Sequence, residues 1–126
     1  MLPNQVLQKT MRDMGEIVGE NCSIWNSEGV CLAHFASISE MDRREIQEVI
    51  QNMDEREKIK EAGKSFFCIY MEEELVYILV IHTEKEGTEV IGRLSVKQIE
   101  TLIQAYQERM NRNHFMQNLL LDNMLL

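Results

Sequence analysis

The stretch KSFFCIYMEEELVYILVIHTEKEG (residues 64–87) decides the fold. Two runs rich in aromatic and β-branched residues, Ser65–Met71 and Leu75–His82, flank three glutamates. Such a pattern reads as two antiparallel strands joined by a solvated turn at Glu72–Glu74. Leu75–Ile81 is apolar at consecutive rather than alternate positions. That predicts a central strand, covered on both faces.

Downstream, EKEG is a further turn and TEVIGRL (88–94) reads as a fifth strand. Ser95 with Gln98 forms a capping-box pattern, which predicts that a helix starts there. Nothing breaks that helix before Leu126. Its 32 residues would span about 48 Å, more than the width of so small a domain, so its far end must project. Ile99, Leu102, Ile103, Tyr106 and Met110 form a stripe suited to the sheet or to another helix. Asn111–His114 interrupts the pattern. Phe115, Met116, Leu119, Leu120 and Met124 then restart it as a broad apolar face. Such a face calls for a partner: a second copy, the N-terminal helix or a following domain.

Upstream, SISEMDRREIQEVIQNMDEREKIKEAG carries Met41, Ile46, Val49, Ile50 and Met53 on one side. This predicts a helix over about 40–60, broken near Asp54 and ended by Gly63. Asn21–Trp25 and Val30–Phe35 flank the turn residues Asn26, Ser27 and Gly29, a first hairpin. Val6, Leu7, Met11, Met14, Ile17 and Val18 recur at helical spacing over 4–18, with Gly19 as the stop. The expected architecture is α+β: a five-stranded antiparallel sheet with flanking helices on one face and a long C-terminal helix. Residues 1–94 form the core and 95–126 the projecting helix.

At 126 residues the chain is one domain by size. A net charge of −8 argues against a phosphate-binding surface and against docking on an anionic membrane. No run approaches the ~20 apolar residues of a membrane span, and the start has no secretory signal. The expectation is a cytoplasmic protein in which Cys22, Cys31 and Cys68 are reduced, buried thiols. Cys31 and His34 have metal-pair spacing, but residues three apart on a strand point to opposite faces. Neither metal nor cofactor is expected. Gly-rich phosphate loops and the common hydrolase motifs are absent, so no enzyme is expected either.

A ligand pocket between the sheet and the middle helix is the more credible chemistry. Arg93, after Gly92 and two residues before the expected cap, could hold a carboxylate together with the helix N-terminus. Its competing role is a surface arginine paired to a nearby glutamate. Tyr70 and Tyr77 could offer hydroxyls, or serve as core aromatics. His34 and His82 lie at strand ends, positions where histidine is commonly solvated. Trp25 would pack, or form a pocket wall.

Two long terminal helices around an antiparallel sheet resemble sensor domains of the PAS/GAF type. More closely, RLSVKQIETLIQAYQERMNRNHFMQNLLLDNML resembles the helix leaving the N-terminal sensor of bacterial carbohydrate-diacid transcriptional regulators. ENCSIWNSEGVCLA is similar to that family's strand–turn–strand opening, and VIGRLSVKQI stands where the family enters its exit helix. The resemblance implies a sugar-diacid recognition fold, a small metabolite as ligand, a homodimer, and signalling through the last helix to a helix-turn-helix domain beyond it. The family's Arg-Ile-Gly segment and following His have no counterpart in HFASISEMDRREIQEV, so no diacid-binding residue is carried over. The rival reading is a dimerisation module with a packed core and no ligand.

Overall fold

The computed structural model describes residues 2–38, 40–51, 59–61, 63–83 and 85–125; for 40, 41, 59–61 and 122–125 it describes the backbone alone. In chain order the elements are α1 (Asn4–Val18), β1 (Cys22–Asn26), β2 (Cys31–Phe35), α2 (Glu40–Gln51), β3 (Ile59–Glu61), β4 (Lys64–Met71), β5 (Glu74–Ile81) and α3 (Thr88–Leu125). The fold is α+β, with an antiparallel sheet in the order β2-β1-β5-β4-β3. Four strands make its body. β3 is a three-residue edge paired to the start of β4.

β5 lies between the two hairpins and is buried on both faces, as its unbroken apolar run predicts. Tyr77, Leu79 and Ile81 enter a core with α1 and α3. Ile78 and Val80 enter a second core with Trp25, Phe66 and the α2 residues Ile46 and Val49. Helices therefore cover both faces, not one. A strand apolar at every position leaves the sheet no face to expose to water.

α1 agrees with its sequence pattern and ends at Gly19, whose φ of 74° provides the left-handed cap. Gly15 is buried against Phe35: a Cβ there would sit 2.2 Å from the ring. Between β1 and β2, Asn26 Oδ1 accepts hydrogen bonds from the Glu28 and Val30 amides at 2.9 and 3.0 Å. The β4–β5 turn is tighter than expected. Glu72 and Glu73 alone make it, with φ of 52° and 71°, and Glu74 already belongs to β5.

Two further expectations fail. TEVIGRL is not a strand: α3 begins at Thr88, after Gly87 (φ 92°). β-branched residues suggested a strand, but tertiary packing overrides that propensity. Gly92 lets the helix lie directly on β4, since a Cβ there would be 2.1 Å from the Phe67 ring. Glu89, in the first turn, suits the positive end of the helix dipole. Ser95 is therefore no cap; its hydroxyl donates back to the Ile91 carbonyl at 2.8 Å inside the helix. The second failure is the helix expected over 40–60. α2 ends at Gln51, Ile59–Glu61 is strand, and Gly63 (φ 74°) turns β3 into β4 instead of capping a helix. The break expected near Asp54, and Met53, lie outside the described residues.

α3 runs 38 residues, or about 57 Å. Ile99 and Ile103 are fully buried on the sheet, with Leu102 and Tyr106 packed beside them. Burial of this kind is worth roughly 2 kcal/mol per side chain. From 107 to 121 every residue is exposed. No helix among the described residues is long and apolar enough to cross a membrane.

Candidate functional site

The five residues singled out for ligand binding do not converge. Trp25 is fully buried on the α2 side, and its indole Nε1 donates to Ser23 Oγ at 2.8 Å. Tyr77 is buried on the opposite face, where its hydroxyl accepts from the Leu2 amide at 3.0 Å. Burial raises its pKa above the ordinary tyrosine value, although that hydrogen bond acts the other way. Both are core aromatics whose polar atoms are already partnered. His34 is exposed, its Nδ1 against the Ala36 carbonyl and its own carbonyl accepting from Gln8 Nε2 at 2.8 Å. Arg93 stands in the second turn of α3, its side chain 74 % exposed and paired to Glu89 at 3.0 Å. The strand position that would have aimed it at a pocket does not exist. Tyr70 is half-buried beside a cleft of about 590 Å³ between the β4–β5 turn and α3. Glutamates and carboxamides line that cleft, and its lining contains no lysine or arginine to hold a carboxylate.

Two other features emerge. The first is polar. Lys64, at the start of β4, pairs with Asp42 and, at 2.9 Å, with Glu45, both on α2. All three side chains are at most 17 % exposed. Burial alone would lower the lysine pKa, but the hydrogen bonds from the two carboxylates hold it above its ordinary value. His82, just past β5, sits with Nε2 3.9 Å from Asp42. Burial pushes its pKa down, helped by the Lys64 charge and opposed by Asp42, Glu45 and Glu20. Its lowered pKa favours the neutral ring beside Asp42. The cluster ties α2 to one end of the sheet, and Ser65 Oγ donates to the Thr83 carbonyl at 2.8 Å alongside. Sequence reading missed it because Asp42, Glu45 and Lys64 look like ordinary surface charge until α2 folds over β4. Among the described residues no buried side-chain nitrogen or oxygen lacks a partner.

The second feature is apolar. Beside Ser95 Oγ, which lies 3.0 Å from Met14 Sδ, α1 and α3 leave a groove of about 220 Å³. Met14, Ile17, Ile91 and Leu94 line it, and Ile17 and Leu94 are 77 % and 65 % exposed. Further along α3, Phe115, Met116, Leu119 and Leu120 are exposed as their sequence pattern predicts. The Met124 backbone is helical, and its side chain lies outside the described residues.

Cys22 is buried as expected, whereas Cys31 and Cys68 are only half-buried; none of the three is in a disulfide. Burial pushes Cys22 and Cys68 up to about 11 and also raises Cys31, so none is poised as a thiolate nucleophile. Cys31 packs towards the Trp25 core while His34 faces solvent, so the two share no site. Among the described residues no group of three or more histidine, cysteine or acidic side chains could hold a metal ion. Compared with known proteins, the chain matches no family model and no curated protein.

Proposed function

We propose that this chain is the ligand-sensing regulatory domain of a bacterial transcription regulator, of the carbohydrate-diacid type its sequence resembles, with α3 as its output. The observation that carries this reading is the continuity of α3. One unbroken helix has its first half seated on the sheet and its second half exposed to residue 121, with an apolar face from Phe115. Any change in how the sheet seats that helix is then passed to whatever the far half binds. One antiparallel sheet with the N-terminal and C-terminal helices on one face and α2 on the other supports the finer assignment of a PAS/GAF-like fold. A small metabolite is the input and a homodimer the working form. The −8 charge supports a segment that contacts neither nucleic acid nor membrane.

A second reading, a ligand-free association module, is favoured by a specific observation: Trp25 and Tyr77 are packed and satisfied, and Arg93 faces water. Native mass spectra and thermal unfolding of the full chain, with and without a six-carbon sugar diacid, separate the two. A bound mass and a raised Tm support the sensor. A dimer that takes up no diacid and shows no shift supports the association module.

A further inference from the structure

The face that joins the α1–α3 groove to the exposed half of α3 has a symmetry of its own. At about 100° per residue, positions 91, 94, 98, 105, 112, 116 and 119 fall within one arc of about 80°. They are palindromic around Ala105. Ile91, Leu94 and Gln98 on one side are mirrored, at equal separations, by Leu119, Met116 and Arg112 on the other. Apolar meets apolar, polar meets polar, and the smallest side chain is at the centre.

We infer that two copies of this chain pair antiparallel along α3, with the two-fold axis at Ala105 and the exposed half of each helix seated in the partner's α1–α3 groove. The inference rests on the proposed role of α3 in association. An isologous contact requires that residue i meet j and j meet i, and this palindrome supplies it. Ala105, exposed at mid-helix, lets the two backbones approach closely. Leu119 and Met116 of one copy then meet Ile91, Leu94 and Ile17 of the other. Ile17, Leu94, Met116, Leu119 and Leu120 are 45–77 % exposed. They supply on the order of 500 Å² of apolar surface per copy, over half of the roughly 800 Å² per partner in a stable interface.

Charge selects the antiparallel direction. Residues 1–106 hold 11 Lys and Arg against 19 Asp and Glu, a net of −8; residues 107–126 hold two of each and are neutral. Parallel pairing would set two acidic bodies side by side and place Arg112 against Arg112. Antiparallel pairing separates the bodies along the helix pair by more than the ~8 Å screening length. It also brings Arg112 opposite Gln98 and Asp13, the acidic member of the groove lining, whose partner within its own chain is Lys9 at 2.8 Å in an exposed pair.

The test is oxidative cross-linking of the full 126-residue chain carrying Leu94→Cys and Met116→Cys together. Met116→Cys alone is the comparison, and the unsubstituted chain is the control for Cys22, Cys31 and Cys68. Within one chain the two positions are about 33 Å apart along the helix and cannot meet. The expected product is a covalent dimer linked 94 to 116. Arg112→Asp should weaken the dimer at least tenfold, and adding Asp13→Arg should restore it. A dimer linked 116 to 116, or one unaffected by Arg112→Asp, overturns the antiparallel arrangement and leaves α3 as an association helix. A monomer at 100 µM overturns both.

Discussion

Thr88–Tyr106 and the residues from 107 onward share one helix but not one reason for being helical. The first half contains Val90, Ile91 and Gly92, poor helix formers, and is held by the burial of Ile99 and Ile103 and by the fit of Gly92 under Phe67. The second half is rich in Leu and Met, which favour helix on their own, and its described side chains, to residue 121, are exposed. Tertiary contact makes the one and local propensity the other. The weaker helix former is therefore the better fixed half, because most helical stability in proteins comes from a packed face.

The most direct way to break this contrast is a matched pair of truncations. Ile99→Ala should cost about 3–4 kcal/mol in urea unfolding monitored by Trp25 fluorescence, from lost burial and the cavity left behind. Leu119→Ala should cost under ~0.5 kcal/mol at dilutions where the chain is monomeric. Equal losses would show the far half packed on its own body.

The next largest effect lies at the far end of the sheet. Lys64→Met should destabilise by about 2–3 kcal/mol, because it leaves Asp42 and Glu45 facing each other in a poorly solvated site. An unchanged midpoint would mean that water already screens the cluster. His82 sharpens the same point through pH. Its folded-state pKa is lowered, so its share of stability is present above about 6.5 and lost as pH falls through the folded value. His82→Gln should flatten the pH 7 to 5 part of the stability curve. An equally steep curve would assign the loss to the carboxylates. The smallest effect is a gain: Glu73→Gly at φ 71° should raise stability by about 0.5–1 kcal/mol, read as a Tm a few degrees higher.

The same contrast explains what was legible beforehand. α1 has a single period and both hairpins have clear apolar runs, with plain punctuation at Gly19, the Asn26–Gly29 turn and the glutamate turn. The exposed half of α3 was legible too, since propensity and pattern agree there. Where two signals disagreed, the local one misled. VIG has strand composition, yet it opens a helix because Phe67 offers a seat only glycine fits. Ile59–Glu61 continues a helical charge pattern, yet it pairs with β4. Arg93 inherited the first error: two turns of helix replaced the expected strand and carried its guanidinium into water. The Lys64 cluster lay beyond reach for another reason. Its members are 19 and 22 residues apart and gain meaning only when α2 crosses the start of β4.

The seat of Gly92 against Phe67 has a mechanical consequence. With Ile99, Ile103 and Tyr106 it holds the first half of a stiff rod on the sheet, and the arm beyond Tyr106, to Leu125, is about 29 Å long. A tilt of about 5° in that seat sweeps the far end through roughly 2.5 Å, about half a helical turn, by plain leverage. A small shift of the sheet under the seated half is thereby enlarged into a displacement that a bound neighbour must follow.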